Sequence, residues 1–322
     1  MKRVLRVTAI AFAACSLVPI TAASQSYPTK PVRVIVPWPP GGSTDVTARI
    51  VISKLAEKMD KQFLIENRGG ASGIIGADVV AKSPADGYTL MVHSATHLAN
   101  AHLNAKLPYD TLGDFVGITT LSRQVSMLVV HPSMPVKTTT VLIALDKKRP
   151  REISYGSSGN GSATHLAMEL LKSTTGMTVQ HIPYKGGGPL STAILGGEVQ
   201  ATIATIASIY PHILSKRVLP LGVTSGERVA QFPDVPAIAE AVPGYEFTAW
   251  VAAFAPKGTP MPIVDALNAA FRKILSDPDV ASKLLAQTLD PMPMSPSEFT
   301  ERLRLDYVKY EKAVKISGAK ID

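Results

Sequence analysis

Lys30-Pro31-Val32-Arg33-Val34-Ile35-Val36-Pro37-Trp38-Pro39-Pro40-Gly41-Gly42-Ser43-Thr44-Asp45 decides the fold class of this chain. Its first half is β-branched and bounded by prolines. It predicts a buried strand, because Val and Ile fit a pleated surface while Pro belongs at a strand's ends. Pro39-Pro40-Gly41-Gly42 predicts a turn. Any of Ser43, Thr44 or Asp45 can then cap a helix running to about residue 60, whose apolar Val46, Ile50, Leu55 and Met59 roughly follow helical spacing. Outward from there, residues 63–66 predict a second strand, 67–73 a Gly-rich turn with a helix to about 82, and 88–93 a third strand after Asp86-Gly87. Strand, loop and helix in this alternation imply βαβ units around a mostly parallel sheet.

The same pattern returns downstream. Strands are predicted at 125–131, 153–156, 178–183, 199–204, 219–223 and 247–255. Helices are predicted at 141–147, 163–175, from the 184–189 loop to 195, and near 262–276, 279–287 and 295–317. No fixed-period repeat and no low-complexity linker interrupts them. A length of 322 residues suits about two domains. The expected fold is therefore α/β, with two Rossmann-like lobes built on mixed, mostly parallel sheets. The chain is expected to cross between them near 121–125 and 249–254, giving lobe 1 from 25–123 plus 252–322 and lobe 2 from 124–251.

Composition narrows the function classes. Hydrophobic residues make up 46% and charged residues 18%, a globular balance. Aromatic residues are 6%, with two Trp, too sparse for a nucleic-acid stacking surface, so no nucleic-acid partner is expected. The formal charge of +8 steers anions only weakly, and the basic run Lys147-Lys148-Arg149-Pro150-Arg151 reads as a solvated loop. Lys2, Arg3 and Arg6 precede a short apolar core at 7–20 and the small residues Thr21-Ala22-Ala23-Ser24. This is the pattern of a signal peptide over 1–24, cleaved after Ala23 or Ser24, and it implies export to the periplasm. The only cysteine, Cys15, lies inside that core, and Phe12 is a poor fit to a lipidation box. Without it the chain has no disulfide, thiolate metal site or thiol nucleophile.

Four loops share one design, in which a strand ends, small residues turn and a helix begins: 37–45, 67–73, 157–164 and 184–190. Glycine lets backbone N–H groups face a ligand, and a helix N-terminus adds about half a positive charge. Ser and Thr there donate hydrogen bonds without a competing negative charge, which suits a carboxylate. Catalytic and cofactor patterns are incomplete. Gly156-Ser157-Ser158-Gly159-Asn160 lacks the second glycine of a nucleophile elbow, and Gly159-Asn160-Gly161-Ser162-Ala163-Thr164 fails the dinucleotide fingerprint at its last position. His93 and His97, followed by His102, have no acidic residue between them, so neither a metal nor any other cofactor is expected. His165 and His181 read as packing or capping histidines, and Asp45 as a loop and helix-start anchor before a general base. Arg49 reads as its i,i+4 ion-pair partner.

These residues carry a family resemblance. Tyr27-Pro28, the opening stretch through Asp45, Ala48-Arg49, Glu66-Asn67-Arg68-Gly69-Gly70-Ala71-Ser72-Gly73 and Ser83-Pro84-Ala85-Asp86-Gly87-Tyr88-Thr89-Leu90 match in order. So do Tyr155-Gly156-Ser157-Ser158-Gly159-Asn160-Gly161-Ser162, His165-Leu166, Pro183-Tyr184-Lys185-Gly186-Gly187, Phe232-Pro233-Asp234-Val235-Pro236, Trp250 and Ala255-Pro256-Lys257-Gly258-Thr259-Pro260. The chain resembles the tripartite tricarboxylate transporter receptor family, the Bug-type periplasmic solute-binding proteins. The resemblance implies periplasmic-binding-protein (flytrap) architecture, with no catalysis. It also implies a small organic di- or tricarboxylate ligand, membrane transporter subunits as partners, and a monomer.

Carried over residue by residue, it implies ligand binding by Pro39, Gly41, Gly42, Ser43, Thr44 and Asp45, with Ser94 and His97 from the segment after the third strand. The opposing lobe would supply Ser157, Asn160, Ser162, Thr164, His165, Tyr184, Lys185, Gly186 and Gly187. Two departures stand at the cleft. Gln200 follows Val199 where the family often has Asp, and Thr205 falls where an acidic residue is common. Missing carboxylates argue against a ligand ammonium. The alternatives are a sensing subunit for a membrane signalling partner and an exported hydrolase using Ser157, Ser158 or Asp45.

Overall fold

Val32–Val36 (β1) and Ser43–Met59 (α1) form the strand and helix expected of the opening stretch, in a computed structural model that describes residues 27–317. The expected signal peptide at 1–24 lies outside the described residues. Phe63–Asn67 (β2), Ile74–Ala81 (α2), Thr89–Ser94 (β3), Thr96–Leu103 (α3) and Phe115–Gln124 (β4) follow. After one residue, Val125, the chain enters Ser126–Val130 (β5), then Thr139–Lys148 (α4), Ser154–Ser157 (β6), Ala163–Thr175 (α5), Gln180–Pro183 (β7) and Gly187–Gly196 (α6). Ala201–Thr205 (β8), Ile206–Leu214 (α7), Leu219–Val223 (β9) and Ile238–Ala241 (α8) complete that half. The chain ends with Ala249–Pro256 (β10), Met261–Leu275 (α9), Pro278–Leu285 (α10), Leu289–Pro291 (β11) and Pro296–Ser317 (α11).

The strands make two sheets, ordered β11-β4-β10-β3-β1-β2 and β7-β6-β8-β5-β9. Both are mixed, but the parallel share is smaller than expected. Four pairings are parallel (β1 with β2 and β3, β6 with β7 and β8) and five are antiparallel. The βαβ units supply the parallel part, as the crossover rule requires. The strands that carry the chain between sheets supply the rest. β4 runs almost straight into β5, and the returning β10 pairs antiparallel with β4 along its whole length.

β4 and α3 were not anticipated. β4 is buried on both faces, and its Thr119, Thr120, Ser122 and Gln124 are polar yet almost wholly inaccessible, so it shows no alternation. Its hydroxyls are satisfied internally: Thr119 Oγ1 donates to the Met294 carbonyl at 2.9 Å, and Thr47 and Ser122 hydroxyls lie 3.2 Å apart. α11 packs on α3 and β4 of one sheet's layer and on α5 of the other's, tying the two halves together. Trp250 anchors this junction, fully buried with its indole N–H on Asp306 Oδ2 at 2.8 Å.

Candidate functional site

Five helix starts meet between the two sheets. α1 brings Gly42, Ser43 and Thr44, α3 brings Ser94 and Thr96, α5 brings Ala163 and Thr164, α6 brings Gly187, and α7 brings Thr205 and Ser208. Trp38, Gln124, Ser158 and Leu190 close the walls of a cavity of about 40 Å³. No charged side chain lines it. The first N–H groups of any helix lack an intrahelical partner, and a side chain usually satisfies them. Here α1, α3, α6 and α7 have no side-chain cap, and only α5 does, through Ser162 Oγ accepting from His165 N at 3.3 Å. Four uncapped N-termini at one small cavity present backbone donors and positive dipole ends, an arrangement suited to an anion.

The loop before α1 is held from behind. Gly42 is the N-cap, so none of Ser43, Thr44 and Asp45 caps that helix. Instead Asp45 Oδ2 accepts from Gly41 N (3.0 Å) and Arg49 Nε (2.9 Å), and its Oδ1 accepts from Asn67 Nδ2 (2.9 Å). Burial pushes the Asp45 carboxyl up, and the hydrogen bonds from Arg49, Gly41 and Asn67 outweigh it, holding the group below the ordinary aspartate value. Asn67 Nδ2 also donates to the Trp38 carbonyl at 2.9 Å. Asp45 is thus a loop anchor whose lone pairs are taken, not an available base.

In the second half Thr164 Oγ1 accepts from Ser158 N at 2.9 Å and lies 3.0 Å from the hydroxyls of both Ser158 and Ser162. Gly161 N donates to His165 Nδ1 at 2.9 Å, and the His165 ring stacks on His181 with centroids 4.0 Å apart. Burial lowers His165 to about 4, helped by Lys172, and lowers His181 to about 3, helped by His165. Ser157 Oγ sits 2.6 Å from His181 Nε2, the pairing a nucleophile and base would need. Ser157 is fully buried and also donates to the Gly159 carbonyl at 3.1 Å, so no substrate reaches it. The pair clamps the loop.

A second cavity of about 290 Å³ adjoins the first, sharing Trp38 and Ser158, and Pro39, Ser72, Asn160, Tyr184 and Lys185 line it. Of the expected binding residues, Gly42, Ser43, Thr44, Ser94, Thr164 and Gly187 face the inner cavity. Pro39, Asn160, Tyr184 and Lys185 face the outer one. Gly41, Asp45, Ser157, Ser162, His165 and Gly186 stand behind as supports. His97 faces neither: its ring is fully buried among Tyr109, Phe115 and Phe254. Trp38, Thr96, Gln124, Ser158, Ala163, Leu190, Thr205 and Ser208 line the inner cavity without having been proposed as binding residues. Thr205 and Ser208 open α7, an unanticipated helix. Trp38 and Ser158 sit inside motifs already singled out.

Residues 47–317 match the tripartite tricarboxylate transporter family receptor profile. The chain belongs to this family. Protein BugT of Bordetella pertussis is 35% identical over 324 residues, covering 100% of this chain and 99% of the relative. Among solved structures, Rpa4515 of R. palustris with adipate superposes at a TM-score of 0.89 with 36% identity, over 91% of this chain and 99% of that one. MatC (Rpa3494) from Rhodopseudomonas palustris with bound malate gives 0.84 and 29% over 89% and 100%. The periplasmic binding protein BugD gives 0.87 and 28% over 91% and 99%. The fold is that of these two-sheet periplasmic binding proteins, and the members of this receptor family are solute receptors, not enzymes.

Proposed function

We propose that this receptor captures a small organic carboxylate in the periplasm and presents it, as a monomer, to the membrane subunits of a tripartite tricarboxylate-type transporter. The observation that carries the reading is the convergence of five helix N-termini, four of them uncapped, on one cavity without a charged side chain. Each terminus contributes about 0.3–1 kcal/mol towards an anion, and up to ~2 in partly buried geometry. Using dipoles avoids burying a side-chain cation whose charge would be left unpaired whenever the ligand leaves. The lobes, 25–123 with 252–322 and 124–251, part for entry and close on the ligand. The two carboxylate-bound relatives, one with adipate and one with malate, support this ligand class. Thr205 in place of an acidic residue leaves no partner for an ammonium, so carboxylates without an amine are favoured over amino acids.

Calorimetry with adipate, malate and aspartate, followed by recovery of the ligand, tests the reading. Saturable binding of at least one amine-free carboxylate, released chemically unchanged, is expected. Chemical turnover of the carboxylate, or preference for aspartate over both diacids, overturns it. No membrane-crossing helix, by length and apolarity, occurs among the described residues, and fractionation of the full chain checks the periplasmic placement.

A further inference from the structure

His93 touches neither cavity, yet it holds two residues that do. Its Nδ1 accepts from Trp38 Nε1 at 3.3 Å and from Ser94 N at 2.8 Å. Trp38, together with Ser158, is shared by the inner and outer cavities, and Ser94 lines the inner one. A nitrogen that accepts twice carries no proton, so the proton of the neutral ring is on Nε2. Burial, with His97 beside it, keeps His93 well below its ordinary value and therefore neutral.

The ring is fixed from its far side as well. A Cβ on Gly73, whose φ is +93°, would lie 2.6 Å from His93 Nε2, so the chain passes too close for the ring to retreat. Behind it His97 Nε2 donates to the Thr111 carbonyl at 3.2 Å, which leaves His97 Nδ1 as an acceptor. His93 Nε2, a donor, and His97 Nδ1, an acceptor, are both buried without a partner in rings 5.4 Å apart, so donors and acceptors run in one sense from the cavity wall to Thr111.

We propose that His93 is a positioning residue for the binding cleft: its one acceptor nitrogen sets the Trp38 indole and the Ser94 backbone in the places that divide the cleft. It then governs affinity without contacting the ligand. The affinity part rests on the carboxylate reading, and the wall part does not.

The test uses the full chain and adipate as the probe. In His93→Asn the Oδ1 atom takes the place of Nδ1, whereas His93→Leu removes the acceptor. The chain has two Trp, so the indole N–H region of a ¹H–¹⁵N spectrum has two signals, and Trp38→Phe assigns them. The Trp38 signal of the ligand-free protein is expected to move upfield in His93→Leu and to stay in place in His93→Asn. Adipate affinity is expected to fall about tenfold in His93→Leu and to recover to within ~3-fold in His93→Asn, the size of one hydrogen bond. In a Trp38→Phe background, His93→Leu should cost clearly less than it does in the wild type, because only the Ser94 contact is then left to lose. An unmoved Trp38 signal in His93→Leu overturns the proposal whatever any ligand does. A moved signal with unchanged adipate affinity, or full additivity with Trp38→Phe, overturns the positioning role. Should wild-type protein bind no carboxylate, the ligand reading fails while the indole signal still decides the wall. If His93→Leu does not fold, His93→Gln, whose acceptor lies one bond farther out, takes its place with the same expected outcomes.

Discussion

At the scale of single residues, this cleft is built by side chains that face away from its cavities as much as by those that line them. Thr164 shows both roles: it lines the inner cavity while its Oγ1 takes the Ser158 amide at 2.9 Å. Thr164→Val keeps the shape and deletes the acceptor, leaving that amide unpaired. It should cost about 1–3 kcal/mol of stability, read by urea unfolding, and weaken carboxylate binding by a similar amount, read by calorimetry. His165 and His181 make a pH prediction. Both have folded values depressed below 6.5, to about 4 and about 3, first by burial and then by Lys172 and by His165 respectively. Between pH 6.5 and about 4 the unfolded chain therefore binds more protons than the native one, and stability falls as the solution is acidified. These two rings alone should lower the unfolding free energy by roughly 2–3 kcal/mol each across that window, and a His165→Gln/His181→Asn double variant should flatten the slope. An equal slope in both proteins would contradict the assignment. At this scale the sequence was informative where backbone chemistry leaves a trace, as in Gly41-Gly42 and Ser157–Asn160. It was silent about His93 and Gln124, whose roles depend on which strand ends beside which.

At the scale of elements, legibility followed periodicity and punctuation. α5 was anticipated at its observed bounds because Ser162 precedes an amphipathic run and Gly176 ends it in the left-handed region, at φ +75°. Ser162→Ala removes that cap and its contact with Thr164, and should cost about 0.5–2 kcal/mol, measured by urea unfolding. The elements that escaped were those buried on every side. β4 carries polar groups at positions where alternation would demand apolar ones, because neighbouring carbonyls and hydroxyls meet them inside the core. α3 is an eight-residue helix with two His and an Asn, nearly all of it inaccessible, and it reads locally as a loop. The missed elements are not peripheral. α3 and α7 supply two of the five helix starts at the site, and β4 supplies Gln124, so reading four loops from sequence found only part of the convergence.

At the scale of the whole molecule, the two halves meet through glycines that admit side chains from across the cleft. Ser72 Oγ donates to the Asn160 carbonyl at 2.7 Å, Pro39 lies over Gly186, and Leu103 at the end of α3 lies over Gly161. These contacts join the two halves directly beside the small inner cavity. A Cβ on Gly161 would lie 1.9 Å from Leu103 Cδ1, and because Leu103 is itself packed in the core its end has little room to turn aside. Gly161→Ala should therefore hold the lobes apart. Adipate affinity should fall tenfold or more, an apparent closed-state penalty of about 1.4 kcal/mol or above. Small-angle scattering should show a larger radius of gyration in the presence of adipate than for the wild type. Gly161 also has φ +70°, so alanine adds a local backbone cost of about 1 kcal/mol that does not depend on the other lobe. Leu103→Ala separates the two effects. In the Gly161→Ala/Leu103→Ala protein the room returns while the backbone cost stays, so affinity should recover to within ~3-fold of Leu103→Ala alone although stability does not. A double variant that binds as weakly as Gly161→Ala would mean that local strain, not the meeting of lobes, governs closure.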